Sequence, residues 1–210
     1  GPMISSGPSS APTESQFSRP SSLMGRLLLH SMNIGHGRLH QWGLKAAGIQ
    51  PTDRVLDVGC GGGKAISRIL KETRREVAGI DHSPEAVETA RSVNRAAVAS
   101  GRLRVVESSV ESLPFRDGLF DVVTAFETTY FWPDLQTGLT EIRRVLNRGG
   151  RLVIANEFAD RAAAGAWADR LDMHVPDGEA LAGAAYKAGF LMVDVSIHPR
   201  SGWLRLVAAR

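Results

Sequence analysis

Cysteine is nearly missing from this 210-residue chain, in which Cys60 stands alone. One thiol cannot close an intrachain disulfide or supply a cysteine-cluster zinc site. Long apolar runs are lacking too. Nowhere do about 18 uncharged apolar residues follow one another, so no transmembrane helix is expected. Charge of one sign is never concentrated: 25 Lys and Arg oppose 22 Asp and Glu for a net +3, and no Lys/Arg run exceeds two residues. That dispersal gives no support to a basic nucleic-acid-binding tail. Aromatics number only 13, so any local concentration of them is informative. What the chain does have is aliphatic bulk. Its 43% hydrophobic content suffices for a sizeable core and is too high for a disordered chain. At roughly 150 residues per domain, the length accommodates one domain and an appendage. A soluble, cytoplasmic protein is expected. The 21 Arg against 4 Lys resemble the usage of a GC-rich bacterial genome.

The first 22 residues hold 8 Ser, 4 Pro and 2 Gly, a segment that buries little and is expected to stay mobile. Gly1-Pro2 resembles the remnant of a cleaved tag. The stretch lacks the basic start and apolar centre of a secretory signal. Folded structure is expected from Leu23, with a helical cap over 23–50 broken around Gly35 and Gly37. After Pro51 the pattern becomes a regular alternation. Strands are predicted at Arg54–Val58, Glu76–Ile80, Leu103–Val106, Phe120–Ala125 and Arg151–Asn156, and helices at Lys64–Thr73, Pro84–Ala99, Leu135–Leu146 and Gly178–Ala188. Two further strands, Leu191–Ile197 and Trp203–Ala208, flank the turn-rich His198–Gly202 and suit a hairpin. Strand–helix alternation implies one Rossmann-like, doubly wound α/β domain over 23–210. Val-Leu-Asp-Val and Leu-Val-Ile-Ala are near-continuous apolar runs, as strands buried on both faces should be.

The strongest chemical signal is the run from Arg54 through Asp57, Gly59, Cys60, Gly61 and Gly63 to Ala65, a strand entering a glycine loop and then a helix. The three glycines permit torsions and close ligand approach that a Cβ blocks, and the loop leads to a helix N-terminus with unpaired N–H groups. The alternative is a tight strand-to-helix turn and nothing more. The spacing is GxGxG. A dinucleotide GxGxxG starting at Gly59 requires glycine at Lys64, and a phosphate-binding GxxxxGK[ST] fails because Ala65 follows Gly63-Lys64. Asp81 closes the second strand, 22 residues after Gly59. A carboxylate there can accept from two vicinal ribose hydroxyls. It can also serve as a helix cap, but Ser83 before Pro84 fills that role well and frees Asp81 for a ligand.

Asp57-Val-Gly-Cys-Gly-Gly-Gly, Asp81, Leu113-Pro-Phe, Phe120-Asp-Val-Val and Arg144-Val-Leu-Asn-Arg-Gly-Gly together resemble class I S-adenosylmethionine-dependent methyltransferases. The likeness is greatest to the branch, methyltransferase type 11-like, whose members often methylate small molecules, and it runs from about Met32 to Arg210. It implies a mostly parallel seven-stranded sheet with a C-terminal antiparallel hairpin and, as cofactor, S-adenosyl-L-methionine. Position by position, it implies that Gly59, Cys60 and Gly61 lie along the methionine part. Asp57 supports the loop and the amino group, Asp81 holds the ribose and His82 packs on the adenine face. Ser109 and Val110 lie beside the adenine amino group. Family members often carry Asp where Ser109 stands, which leaves that contact weaker or assigns it to main chain. Ala125 and Phe126 close over the sulfonium.

Phe126-Glu127-Thr128-Thr129-Tyr130-Phe131-Trp132-Pro133-Asp134 follows the fourth strand, at the edge where open α/β sheets place their ligands. Aromatic faces attract cations such as a sulfonium and stack on planar acceptors. Phe131 and Trp132 either wall a pocket or pack the next helix onto the sheet. Tyr130 and Glu127 suit a pocket better. Glu127 can orient an amine or accept its proton, or pair with an N-terminal arginine. The resemblance suggests that Met32–Gly43 lines the same site. His36 there is either a substrate-orienting base or an ordinary capping histidine. His36 and His40, four apart, share a helical face, but with no further His or Cys at ligand spacing no metal is expected. Asn156-Glu157 also point at the ligand edge, and His174 is a weaker candidate. The expected activity is methyl transfer to a small-molecule acceptor by in-line displacement, with His36, Glu127 and Tyr130 as catalytic candidates. The alternatives are methylation of RNA or protein, and a cofactor-binding Rossmann protein without catalysis. A nicotinamide-dependent oxidoreductase would share the fold but needs GxGxxG. Neither a membrane nor nucleic acid is expected as a partner, and a homodimer is left open.

Overall fold

The computed structural model describes residues 36–210. Leu23, Met32, Asn33, Gly35 and the boundary at residue 22 lie outside the described residues. Strands run at Val55–Val58 (β1), Val77–Asp81 (β2), Leu103–Glu107 (β3), Phe120–Phe126 (β4), Leu146–Asn156 (β5), Met192–Ile197 (β6) and Leu204–Ala209 (β7). Helices occupy His36–Ala47 (α1), Lys64–Glu72 (α2), Pro84–Val93 (α3), Arg95–Ala99 (α4), Leu135–Val145 (α5), Arg161–Ala164 (α6), Ala166–Arg170 (α7) and Gly178–Ala188 (α8). The strands form one sheet in the order β3-β2-β1-β4-β5-β7-β6. β1 to β5 are parallel, and β7 pairs antiparallel with both β5 and β6. The expected Rossmann-like sheet with its closing hairpin is therefore present.

Each face of the sheet has its own core. Leu56, Ala78, Val123 and Ile154 meet Leu139 and Ile142 of α5 and Leu181 of α8. On the other face Val55, Val77, Val122 and Val153 meet Leu39 of α1, Ile66 and Ile69 of α2 and Ala90 of α3. Ile66 and Ile69 are fully buried, each worth about 1.5–3 kcal/mol in removed apolar surface.

Three expectations need correction. Gly37 does not break the cap but lies within the first turn of α1, where a Cβ would come 2.9 Å from the Arg68 guanidinium. The helix expected over Pro84–Ala99 is two, parted at Asn94 (φ −115°, ψ 33°). There the Asn94 amide donates to the carbonyls of Gly63 and Ala90, both at 3.1 Å, and accepts from the Ser67 hydroxyl at 2.7 Å. These bonds hold the end of the glycine loop to α3. Finally, β5 starts five residues early, because Leu146 pairs with Phe120 ahead of a register shift that resumes at Val122–Arg151.

Candidate functional site

The carboxyl ends of β1, β2, β4 and β5 converge on the residues singled out in the sequence. Gly59, Gly61 and Gly63 take φ of +68°, +53° and +84°, values at which a Cβ is strained. Gly59 is also required by packing, since a Cβ there would sit 2.0 Å from Thr128 Oγ1. The loop after β1 thus rests directly on the segment after β4. Cys60 is buried, and its N–H donates to the Ile80 carbonyl at 2.9 Å.

Two buried carboxylates brace this loop. Asp57, 2% exposed, accepts from the Thr124 hydroxyl of β4 at 2.7 Å. Asp81, 1% exposed, accepts the Gly61 N–H on Oδ2 and the Ser83 N–H on Oδ1, both at 3.0 Å. Ser83 caps α3 as expected, accepting from the Ala86 N–H at 3.3 Å. Yet Asp81 is not freed from the turn by that cap, because its own carboxylate ties the turn to the glycine loop. His82 is half-exposed, with Nδ1 3.8 Å from Asp81 Oδ1. Ser109 is exposed and accepts the Glu111 N–H at 3.2 Å. The Val110 side chain is buried in the core, against the face of Gly138. The Val110 side chain is therefore taken up by the core.

Ala125 and Phe126 end β4, both buried. The Phe126 ring turns toward α1. It stacks on His40 at 5.5 Å, and a Cβ on Gly43 would lie 2.5 Å from Phe126 Cε1. Gly43 lets α1 lie on this ring. His40 is buried and so adjoins the site, but the ring contact, not its spacing from His36, is what brings it there. His36 opens α1. Among the described residues no three His, Cys, Asp or Glu group closely enough to hold a metal ion.

Glu127 has φ +56°, a torsion that costs a non-glycine residue about 1–3 kcal/mol. It is 4% exposed, its N–H donates to the Ala155 carbonyl at 2.9 Å, and its Oε1 accepts both the Glu157 N–H and the Tyr130 hydroxyl, the latter at 3.4 Å. Tyr130 is fully buried, and its hydroxyl accepts the Phe158 N–H at 2.9 Å. Burial first, and then the charge of Glu127, push the phenol well above its usual range. The neutral hydroxyl joins the ends of β4 and β5. Asn156, fully buried, donates to Thr129 Oγ1 at 2.9 Å, while its Oδ1 has no hydrogen-bond partner among the described residues. His174 is tied in through its N–H to the Tyr130 carbonyl at 2.9 Å.

The aromatic run divides in two. Trp132 packs against Gly138 of α5, where a Cβ would come 2.9 Å from its ring, and belongs to the core. Phe131 stands edge-on to Tyr130 at 6.0 Å, in a satellite cluster with Phe158, Trp167, Leu171 and Met173. That apolar group flanks Glu127 and was not foreseen. Its members beyond Tyr130 and Phe131 come from 158–175, a stretch without periodicity whose α6 and α7 span four and five residues. Lone aromatics at Phe158 and Trp167 were the only signal available.

Residues 56–154 match the model of a family described as "Methyltransferase domain". An O-methyltransferase, rstn1, of Aspergillus nomiae is 37% identical over 107 residues, covering 51% of this chain and 48% of the relative. The ubiquinone/menaquinone biosynthesis C-methyltransferase UbiE of a Geobacter species is 37% identical over 134 residues, covering 63% and 56%. The chain thus spans about half the length of the curated relatives it matches. Among solved structures, the geranyl diphosphate C-methyltransferase of Streptomyces coelicolor, in complex with Mg²⁺, geranyl diphosphate and S-adenosyl-L-homocysteine, shares the fold. Its TM-score is 0.70 at 15% identity, with 95% of this chain and 86% of that one covered. Residues 56–154 are thus similar to a methyltransferase domain, and that span holds both the glycine loop after β1 and Asp81 at the end of β2.

Proposed function

We propose that this chain is an S-adenosylmethionine-dependent methyltransferase that passes a methyl group to a small-molecule acceptor. The observation that carries the reading is the closed unit of Asp81, the Gly61 N–H and the Ser83 N–H at the carboxyl edge of the sheet. A carboxylate offers about four lone-pair sites. Held by two backbone N–H groups at the carboxyl edge, this acceptor-only group is of the kind that takes two vicinal ribose hydroxyls, so the residues present fit the nucleoside. The loop at Gly59, Cys60 and Gly61 would bind the methionine part with main chain, and Asp57 would support its amino group. His82 and the main chain of Ser109 and Val110 would flank the adenine, with Ala125 and Phe126 below the sulfur. Of the two relatives named, one is an O- and one a C-methyltransferase, which favours an organic acceptor of modest size.

S-adenosylmethionine supplies, when bound, a methyl group activated on a sulfonium. The chain's part is then alignment and exclusion of water, and orientation alone contributes about 7–11 kcal/mol. Glu127, buried beside the satellite cluster, would orient the acceptor. Tyr130, with its hydroxyl held between Glu127 and the Phe158 N–H, acts as a positioning residue for that carboxylate. Where the acceptor must lose a proton, His36 or Glu127 would receive it, a contribution of about 10²–10⁴-fold.

Calorimetry with S-adenosylhomocysteine tests the ribose assignment. Asp81→Asn should weaken binding about tenfold or more, as loss of charge-assisted hydrogen bonds does, and unchanged affinity refutes it. Turnover of labelled donor across a small-molecule library tests the rest. Methylation of RNA or protein alone would replace the acceptor class, and binding without any turnover would leave a cofactor-binding protein.

A further inference from the structure

A second concavity lies at the opposite edge of the sheet. The connection from β3 to β4, residues 108–119, contains no helix, so among the described residues no helix covers the face of β2 and β3 that carries Ala78 and Arg104. Ala78 and Arg104 are register partners, and partners in a parallel pair project to the same face. The row Val123–Leu56–Ala78 is apolar and ends, at the edge strand, in a guanidinium. Above it is a cavity of about 310 Å³, walled by Phe115 and rimmed by Arg54, Arg102, Arg104, Arg116 and Glu76. That volume falls at the lower end of small-molecule sites. Phe115 is braced edge-on against Phe120 at 5.0 Å and only half-buried.

The charge around this cavity is unbalanced. Glu76 serves two arginines, Arg54 at 3.1 Å and Arg75 at 3.6 Å. Arg102 donates to main-chain carbonyls of Leu70, Thr73 and Arg75 and, among the described residues, is in no salt bridge. Arg104 and Arg116 are exposed and, among the described residues, neither is in a salt bridge. The nearest acid in sequence, Asp117, is held by Arg144 at 2.8 Å. Asp121 accepts the Arg54 N–H at 2.8 Å. Guanidinium groups without carboxylate partners, gathered about a concavity with an aromatic wall, match an anion joined to a flat apolar body.

We infer that this cavity is a binding site for a small organic anion, its phosphate or carboxylate taken by Arg104 and Arg116 and its apolar body laid on Phe115 above Ala78. The site is separate from the proposed cofactor cleft, since its lining comes from the amino ends of β1 to β4. Arg102, already fixed by its carbonyl contacts, supplies a stationary positive charge at the rim.

The probe is 1-naphthyl phosphate, titrated into labelled full-length protein with S-adenosylhomocysteine in excess and followed on the arginine Nε–Hε resonances. Saturable binding of one probe per chain is expected, with the largest shifts at Arg102, Arg104 and Arg116. Arg104→Glu with Arg116→Glu should weaken it about tenfold or more, while Arg200→Glu, on the β6–β7 turn, leaves it unchanged. Both reversals are at exposed positions, and a thermal melt checks that the fold persists. Inorganic phosphate, which lacks the apolar body, should bind about tenfold more weakly or worse. Shifts that never saturate, shifts centred on other arginines, or an affinity untouched by the double reversal would overturn the site. Equal affinity for phosphate and naphthyl phosphate would overturn the ligand class.

Discussion

Gly48 and Gly59 both adopt left-handed torsions, φ +55° and +68°, but only Gly59 is enclosed. A Cβ on Gly48 meets nothing within 4 Å, whereas on Gly59 it meets Thr128 Oγ1 at 2.0 Å. Gly48→Ala should therefore cost only the torsion, about 1–2 kcal/mol. Gly59→Ala adds overpacking, for a total of about 2–5 kcal/mol, and Thr128→Ala should recover part of the difference. Urea unfolding of Gly48→Ala, Gly59→Ala and the double variant Gly59→Ala with Thr128→Ala decides this, and equal losses for the two glycine variants would show that the loop does not rest on Thr128. Tyr130 yields a pH prediction. Its phenol is raised above the usual value by burial and by Glu127, so the folded state holds the proton more tightly than the unfolded chain. Below pH about 10 both states are protonated and stability does not change on this account. Above it the unfolded chain loses its proton first, and stability should fall by up to about 1.4 kcal/mol per pH unit. Tyr130→Phe should remove that fall. At neutral pH it should cost about 1–3 kcal/mol, because the part-buried Phe158 N–H loses its acceptor. Denaturant melts at pH 9, 10 and 11 measure both effects.

At the scale of elements, α5 determines how the β3–β4 connection lies. Arg144 reaches Glu141 through two bonds (2.8 and 3.0 Å), Asp117 at 2.8 Å, and the carbonyls of Leu113 and Phe115 at 2.9 and 2.8 Å. Glu141 in turn accepts the Leu113 N–H at 2.8 Å. These bonds, Arg144's first, hold the Glu141 carboxyl below its usual range. Arg144→Met should cost about 1–3 kcal/mol, less than a fully buried pair because the guanidinium is partly solvated. Amide exchange should rise at Leu113 and through 108–119. Unaltered exchange there would mean that the core contacts of Val110 and Leu113 suffice to hold the connection. The same element shows what was legible in the sequence and what was not. Strand cores at Val55–Val58 and Leu152–Ala155 announced themselves as near-continuous apolar runs, since a strand buried on both faces has little polar side to show. The glycine loop was legible because its torsions exclude other residues. The break at Asn94 was not, because its cause is a bond to Gly63, 31 residues away. Nor was the direction of the Phe126 ring, which depends on α1 meeting it at Gly43. Asp81 was read as a ligand for a nucleoside, but its second task, joining loop to turn, needs β1 and β2 side by side.

Taken whole, the order β3-β2-β1-β4-β5-β7-β6 brings Asp57, Asp81, Glu127 and Asn156 to one edge from four strands. Each is 4% exposed or less, and burial of that many polar side chains is costly unless partners satisfy them. Hydrogen bonds within the edge meet much of the cost. Asn156 Oδ1 remains without a partner among the described residues, and under the proposed function a ligand at this edge restores what water would have supplied. Binding energy of that kind appears as stability. At a hundredfold excess of S-adenosylhomocysteine over its dissociation constant, the folded state should gain about 2.7 kcal/mol. At about 2–4 °C per kcal/mol for a chain of this size, the melting midpoint should rise by about 5–11 °C. NADH at the same concentration should produce no shift, because the glycine spacing is not that of a dinucleotide site. In Asp81→Asn the rise should shrink while unfolding remains a single transition. A rise with NADH that equals the rise with S-adenosylhomocysteine would mean that this edge recognises adenosine in general, and that the methyl-transfer reading rests on the wrong half of the molecule.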